Sequence, residues 1–205
     1  TDLFILNLAR SRADAVVTTG NLLRAEPRLT HLIEGPTETQ EQLGAWRREF
    51  LRRNEPPLSL VLTSGQALDF NHPLFQTRNP CVIYTTEDSA ERLRAPAQQR
   101  AIEVVGCKSP SLRSALTWLR EQREARTISI EAGPTTSLTA YKEPVAVQEI
   151  LYSIYHEAAL PEKARGPTFL CLDELKAKGF EEANRVTRQE PSGRWSFIRL
   201  VRRSN

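Results

Sequence analysis

The chain has no methionine and no apolar run near the roughly 18 residues that a membrane-spanning helix needs. Its first residue is Thr1, which is consistent with a sequence that is only part of the natural protein. No basic segment followed by an apolar one opens the chain, so no secretory signal is predicted. Neither a membrane protein nor a secreted one is therefore indicated.

Cysteine is also scarce. Its three cysteines, Cys81, Cys107 and Cys171, lie far apart, and the chain contains no C-x-x-C and no H-x-E motif. These absences exclude a zinc site of the nucleoside-deaminase kind, and no metal is predicted. An odd and sparse cysteine content suits a reducing compartment, so we expect a cytoplasmic protein.

Several motifs of nucleotide and acyl chemistry are missing. The sequence has no G-x-G-x-x-G, no G-x-x-x-x-G-K-[ST] and no G-x-S-x-G, so it supports no Rossmann fingerprint, P-loop or nucleophile elbow. The histidines, His31, His72 and His156, are far apart in sequence. We expect each at the surface or the edge of the core, and none is favoured as a general base.

The composition is that of an ordinary globular protein, with 40% hydrophobic and 26% charged residues and a net charge of +3. A length of 205 residues predicts a single domain over 1–205. Arg47, Arg48, Arg52 and Arg53 make a basic run on a predicted helix. A solvated helix face is the favoured interpretation, and a patch for phosphate or nucleic acid is the alternative.

Strands and helices alternate along the sequence, which predicts an α/β class with a largely parallel sheet flanked by helices. Short β-branched runs predict strands over 14–20, 58–65, 80–86, 101–107, 127–133, 147–156 and 195–203. Helical spacing predicts helices over 3–13, 39–53, 87–95, 109–125 and near 135–142. Ser109 is the predicted N-cap of the fourth of these, with Pro110 in its first turn. Residues 157–167 are predicted to be poorly ordered.

Small and hydroxylated residues lie at the ends of three predicted strands, at 18–20, 63–65 and 132–135. In a parallel α/β sheet, ligands bind beyond the carboxyl ends of the strands, and short side chains let backbone N–H groups approach an anion. Turns between strands and helices also use these residues for backbone reasons alone. Three such turns together favour a nucleotide-binding cleft.

Glu131 ends the strand within "TISIEAGPTTSL", residues 127–138. A carboxylate there is costly unless it is paired or faces a solvated cleft. Two interpretations stay open. Glu131 could cap the N–H groups of its own turn, or it could accept hydrogen bonds from the N–H donors of a bound ligand.

The order of these motifs resembles a known family. "LARSRADAVVTTGNLLRAEPRLT" (8–30), "PLSLVLTSGQALDFNHPLF" (57–75) and "ISIEAGPTTSLTAY" (128–141) are followed by "VQEILYSIYHEAALPEKARGPTF" (147–169). In this order they resemble the pyrimidine reductases of riboflavin biosynthesis, including the C-terminal reductase domain of the bifunctional deaminase-reductases. The E-[GA]-G-P-T element at Glu131 is the most specific. The resemblance implies a dihydrofolate-reductase-like fold.

The resemblance also implies a reaction and a site. NADPH would transfer a hydride to C1 of the opened ribosyl group of a ribosylamino-pyrimidine 5′-phosphate, and the enzyme would be a homodimer with an apolar strand at Val147–Tyr155. The implied cofactor contacts are Gly133, Pro134, Thr135, Thr136, Ser64 and Asn21. The implied substrate contacts are Glu131, Arg10, which would hold the phosphate, and Leu29.

The sequence departs from the family at several of these elements. Asn21 replaces a threonine, Ala25 replaces an acid, and Thr63 replaces an aspartate. We also expect this sequence to lack the family's first strand. Two alternatives therefore stay open: a non-catalytic dimeric nucleotide-binding protein that kept the fold, and a reductase of another substrate, such as a folate-like one.

Overall fold

A computed structural model of the protein describes residues 2–156, 169–191 and 193–203. The contacts divide the chain into two compact units, Leu3–Gly133 and the part from Pro134 onward, which also takes in Asp2. The stretch 157–167, predicted to be poorly ordered, lies outside the described residues.

A five-stranded sheet forms the centre of the first unit, and all its strand pairs are parallel. Its strands are β1 (Ala15–Thr19), β2 (Leu58–Leu62), β3 (Cys81–Thr86), β4 (Glu103–Cys107) and β5 (Ile128–Ile130), in the order β4-β3-β2-β1-β5. Every residue of β1 is buried, as expected for an inner strand of a sheet covered on both faces. The predicted α/β class with a parallel sheet is confirmed.

Helices flank this sheet in the first unit: α1 (Asp2–Arg12), α2 (Gly20–Ala25), α3 (Thr37–Ala45), α4 (Glu87–Gln98) and α5 (Leu112–Arg123). The predicted N-cap of α5 is wrong. Ser111 caps the helix, in place of Ser109, because its hydroxyl accepts the N–H of Ser114 while the Ser114 hydroxyl accepts the N–H of Ser111. This reciprocal pair satisfies two helix-end donors at once.

The basic run does not form one helix face. Helix α3 ends at Ala45, and the chain continues as a π-helical turn, Trp46–Phe50, so the predicted helix over 39–53 stops early. Arg47 is buried, while Arg53 lies 2.9 Å from Asp14 in an ion pair. Only Arg48 and Arg52 fit the predicted solvated face, since both are exposed.

The second unit contains a three-stranded antiparallel sheet in the order β6-β8-β7. Its strands are β6 (Glu149–Tyr155), β7 (Phe180–Glu190) and β8 (Gly193–Arg202). Strands at β6 and β8 were predicted, but not their antiparallel pairing, and β7 was missed. Residues 181–189 are exposed on both faces and polar except for Ala183 and Val186, so they show no alternation of apolar and polar residues to indicate a strand.

Short helices complete the second unit. Helix α6 (Pro134–Ser137) passes directly into a 3₁₀ turn, Leu138–Tyr141, so the helix predicted near 135–142 is split into two pieces. Helix α7 (Leu172–Ala177) follows later and was not predicted.

Candidate functional site

Two of the predicted small-residue segments, those at 18–20 and 63–65, meet at the carboxyl edge of the parallel sheet. Strands β2, β1 and β5 are neighbours, so the turns that follow them leave the sheet at the same edge. A Cβ atom added to Gly20 would lie 3.1 Å from the Thr63 hydroxyl oxygen, which shows that the first two turns touch. The chain therefore has two adjacent turns and the Glu131 carboxylate at the edge where such sheets bind ligands.

The turn after β1 has a structural role. Thr18 is fully buried, and the hydroxyl of Thr19 accepts the N–H of Leu22 to cap α2. Asn21, a predicted cofactor contact, is exposed, and its side-chain oxygen accepts a hydrogen bond from Arg24. The helix cap explains Thr19, and among residues 18–21 only Asn21 presents a polar side chain to solvent.

The turn after β2 offers a better cradle for an anion. Gly65 has a φ of +104°, and an added Cβ would lie 2.0 Å from the Ser89 hydroxyl oxygen, so only glycine fits this approach. Ser64, a predicted cofactor contact, is exposed beside it.

Helix α4 supplies side chains next to this turn that the sequence interpretation missed. The guanidinium of Arg92 lies 2.9 Å from the Ser89 hydroxyl, and Thr86 caps the helix by accepting the Ser89 N–H. The exposed acids Glu87 and Asp88 occupy the same helix end and oppose an anion there. Arg92 supplies positive charge for an anion near Ser64, and Arg24 adds to it, since its guanidinium donates to the Gln66 side chain and the Ala67 carbonyl.

Glu131 is paired with Arg10. The Arg10 Nε lies 3.0 Å from Oε1 and its Nη2 lies 2.8 Å from Oε2, so two parallel hydrogen bonds join the groups. The side chains are 2% and 10% exposed, respectively. The structure thus brings two predicted substrate contacts together, and the ion pair is a third role for Glu131 beside the two that the sequence left open.

Arg10 also holds the segment that carries Leu29. Its Nη1 donates to the carbonyl of Leu32 at 2.8 Å, and Asn7, one helical turn earlier, exchanges two hydrogen bonds with the backbone of Glu34. Leu29 itself is half-buried and packs against the apolar core beneath the loop. One face of α1 therefore fixes this loop on the same side as Glu131.

The remaining predicted cofactor residues span the boundary between the units. Gly133 ends the first unit, and Pro134, Thr135 and Thr136 begin the second. A Cβ added to Gly133 would meet no atom of the described residues within 4 Å, and the φ of this residue does not require glycine. Helix α6 has only four residues, and a role of this segment in binding phosphate stays a prediction.

His31 does not lie where it was predicted. It is 1% exposed, and its Nδ1 lies 2.9 Å from the Ser59 hydroxyl. Burial, together with the nearby charge of Arg10, lowers the pKa of His31 to about 3, so the ring is neutral at physiological pH. His72 is also buried, with Nε2 lying 3.0 Å from the carbonyl oxygen of Glu26. A buried, neutral His31 is a core residue.

We expect His31 to make the protein acid-sensitive. Its folded pKa of about 3 lies below the value of 6.5 in the unfolded chain, so the unfolded chain binds the proton first as pH falls below about 6.5. This one group should lower the free energy of unfolding by about 2 kcal/mol between pH 7 and pH 5. Urea unfolding at both pH values should show a smaller loss of unfolding free energy in His31→Gln than in the parent. An equal loss in the variant would contradict the assignment.

A cavity of about 320 Å³ lies at the opposite, amino edge of the sheet. Its lining includes Asp14, Leu58, Pro80 and Glu103. It is therefore separate from the turns described above.

Comparison with solved structures identifies the fold. The riboflavin biosynthesis reductase Rib7 of Saccharomyces cerevisiae matches with a TM-score of 0.57 and 12% identity, over 94% of this chain and 77% of its own. This chain has the fold of that reductase. Two structures of RibD from Acinetobacter baumannii match with TM-scores of 0.66 and 0.68, at 15% and 14% identity. The dihydrofolate-reductase-like fold expected from the sequence is confirmed.

The matches cover 98% and 100% of this chain but only 51% of each RibD chain, so the chain spans about half the length of RibD. No protein-family model and no curated protein matches the sequence. Among the described helices, none is long and apolar enough to cross a bilayer.

Proposed function

We propose that the protein is a pyrimidine reductase of the riboflavin-biosynthesis type. It uses NADPH to reduce a ribosylamino-pyrimidine 5′-phosphate to the ribitylamino product. The observation that carries the proposal is the position of Glu131, which follows β5 at the carboxyl edge, where two further small-residue turns also leave the sheet. The likeness of fold to a riboflavin biosynthesis reductase supports it.

The residues present fit a phosphate-bearing cofactor. Gly65 lets the backbone approach closely, Ser64 is an exposed hydroxyl, and Arg92 supplies a positive charge beside them. We propose that these groups hold a phosphate of NADPH and that Asn21 contacts the cofactor, while the contacts of residues 133–136 stay a prediction from the sequence. NADPH supplies the hydride when bound, and the chain contributes binding and orientation.

The substrate side of the proposal rests on Glu131 and Leu29. A carboxylate is an acceptor-only group, which suits the amino and ring N–H donors of a diaminopyrimidine. The exposed part of Leu29, in the loop that Arg10 holds, would supply an apolar contact. Hydride addition at C1 of the opened ribosyl group needs these contacts to fix the pyrimidine, because orientation is a large part of the rate gain available to a reductase.

We also propose that the protein is a homodimer.

The experiment compares NADPH with NADH. We propose that Arg92 contacts the additional phosphate that NADH lacks, so removing its guanidinium should weaken NADPH binding by about 1.5–3 kcal/mol, the value of a hydrogen bond to a charged group. Calorimetric titration of Arg92→Ala should therefore show that the affinity for NADPH falls roughly 10- to 100-fold, while the affinity for NADH hardly changes.

Arg94→Ala is the matched control, because Arg94 is an exposed arginine on the same helix. We expect it to bind both cofactors as the parent does. Equal losses in the two variants would show only a general charge effect, and an unchanged Arg92→Ala would remove Arg92 from the site.

A further inference from the structure

Arg10 is held too firmly for the role that the sequence resemblance implies. Its side chain is 2% exposed, and it is engaged by the Glu131 carboxylate and the Leu32 carbonyl. Nη1 also lies 3.7 Å from a carboxylate oxygen of Glu34. To bind a substrate phosphate, the guanidinium would have to leave a buried bidentate ion pair, and it would leave Glu131 without its counter-charge.

The same contacts connect two elements of the proposed substrate site. Glu131 follows β5, whereas Leu32 belongs to the loop between α2 and α3, which also carries Leu29. The planar fork of Arg10 binds both, with Nε and Nη2 on the carboxylate and Nη1 on the loop carbonyl. Because a bidentate pair fixes direction as well as distance, it also sets the orientation of the Glu131 carboxylate.

The loop is anchored to α1 at a second point, which keeps the arrangement rigid. Asn7 donates from its side-chain amide to the Glu34 carbonyl at 2.7 Å and accepts the Glu34 N–H at 3.1 Å. Asn7 and Arg10 lie three residues apart and therefore share one face of the helix. Helix α1 thus presents two polar side chains to one loop, and only Arg10 extends from there to Glu131.

We propose that Arg10 is a positioning residue that orients Glu131 and the 29–34 loop for the pyrimidine, and that it does not bind the substrate phosphate. The inference rests on the proposed function. This positioning role requires arginine, because a lysine ammonium cannot make the two parallel bonds to the carboxylate and still reach the Leu32 carbonyl in the same plane.

The test measures the affinity of the full-length protein for two ligands, the ribosylamino-pyrimidine 5′-phosphate and its dephosphorylated nucleoside. Arg10→Lys keeps the charge but loses the fork. We expect this variant to lower the affinity for both ligands by the same factor, about tenfold or more, which is the effect of disturbing a hydrogen bond to a charged group. A loss confined to the phosphorylated ligand would make Arg10 a phosphate contact and overturn the inference.

A double-mutant cycle with Glu131→Gln separates positioning from a general structural effect. If Arg10 acts through Glu131, Arg10→Lys should cost little further affinity once Glu131 is Gln. Independent losses that add would overturn the inference. Arg10→Gln with Glu131→Gln replaces the ion pair by an amide pair and leaves no unpaired buried charge. This double variant supplies a folded reference if Arg10→Lys is unstable, and its affinity for both ligands should fall by the same factor.

The outcome for the parent protein distinguishes the two proposals. If the parent binds neither pyrimidine ligand, the proposed function fails and the inference fails with it. If the parent binds both and Arg10→Lys discriminates between them, the proposed function stands and only the inference fails.

Discussion

Arg47→Met is expected to destabilise the protein by about 3 kcal/mol, because it leaves several backbone carbonyls without a donor. The Arg47 guanidinium donates to the carbonyls of Ser11, Ala13 and Glu55 at distances between 2.6 and 2.9 Å. Two of these carbonyls lie at the end of α1, where the last carbonyls have no partner within the helix. Thermal and urea unfolding should show the loss.

Arg48→Met is the matched control, since Arg48 is the neighbouring residue and is exposed. We expect its free energy of unfolding to change by no more than about 0.5 kcal/mol. Burial and the nearby Arg53 lower the pKa of Arg47, while Asp14 raises it. Equal effects in the two variants would contradict the structural role of Arg47.

Gly65→Ala should cost at least about 2 kcal/mol, because a side chain is strained at φ +104° and its Cβ would collide with the Ser89 hydroxyl. Chemical unfolding measures the loss. Gly133→Ala serves as the control at a glycine with open space around it and no positive φ, and we expect almost no change there.

Ser89→Gly separates the two contributions at Gly65. It removes the colliding atoms, so in that background Gly65→Ala should keep only the backbone part of its cost. A Gly65→Ala variant as stable as the parent would show that the turn after β2 does not approach α4 as described.

The parallel sheet could be predicted from the sequence because its strands are short apolar runs between turn residues. β7 could not be predicted, since an edge strand exposed on both faces carries no period-2 pattern and resembles a polar loop. Similarly, the burial of His31 and Arg47 depends on segments distant in sequence, such as Ser59 and Ala13, and residue type alone gives no sign of it.

The candidate site was predictable in part for the same reason. Glu131 and the small-residue turns stand out because they directly follow strands, and the sheet order brings them to one edge. The Arg10–Glu131 ion pair joins residues 121 positions apart, and the contact between Arg92 and Ser89 lies on a helix whose surface residues look ordinary in sequence. Neither of these two contacts could be predicted from the spacing of the residues in the sequence.

The most direct test of the proposed function is the consumption of NADPH by the full-length protein in the presence of the ribosylamino-pyrimidine 5′-phosphate. NADPH absorbance should fall in proportion to the ribitylamino product formed, and it should stay constant when the pyrimidine is omitted. Binding of NADPH and pyrimidine without any loss of absorbance would contradict the reductase assignment and favour a non-catalytic nucleotide-binding protein.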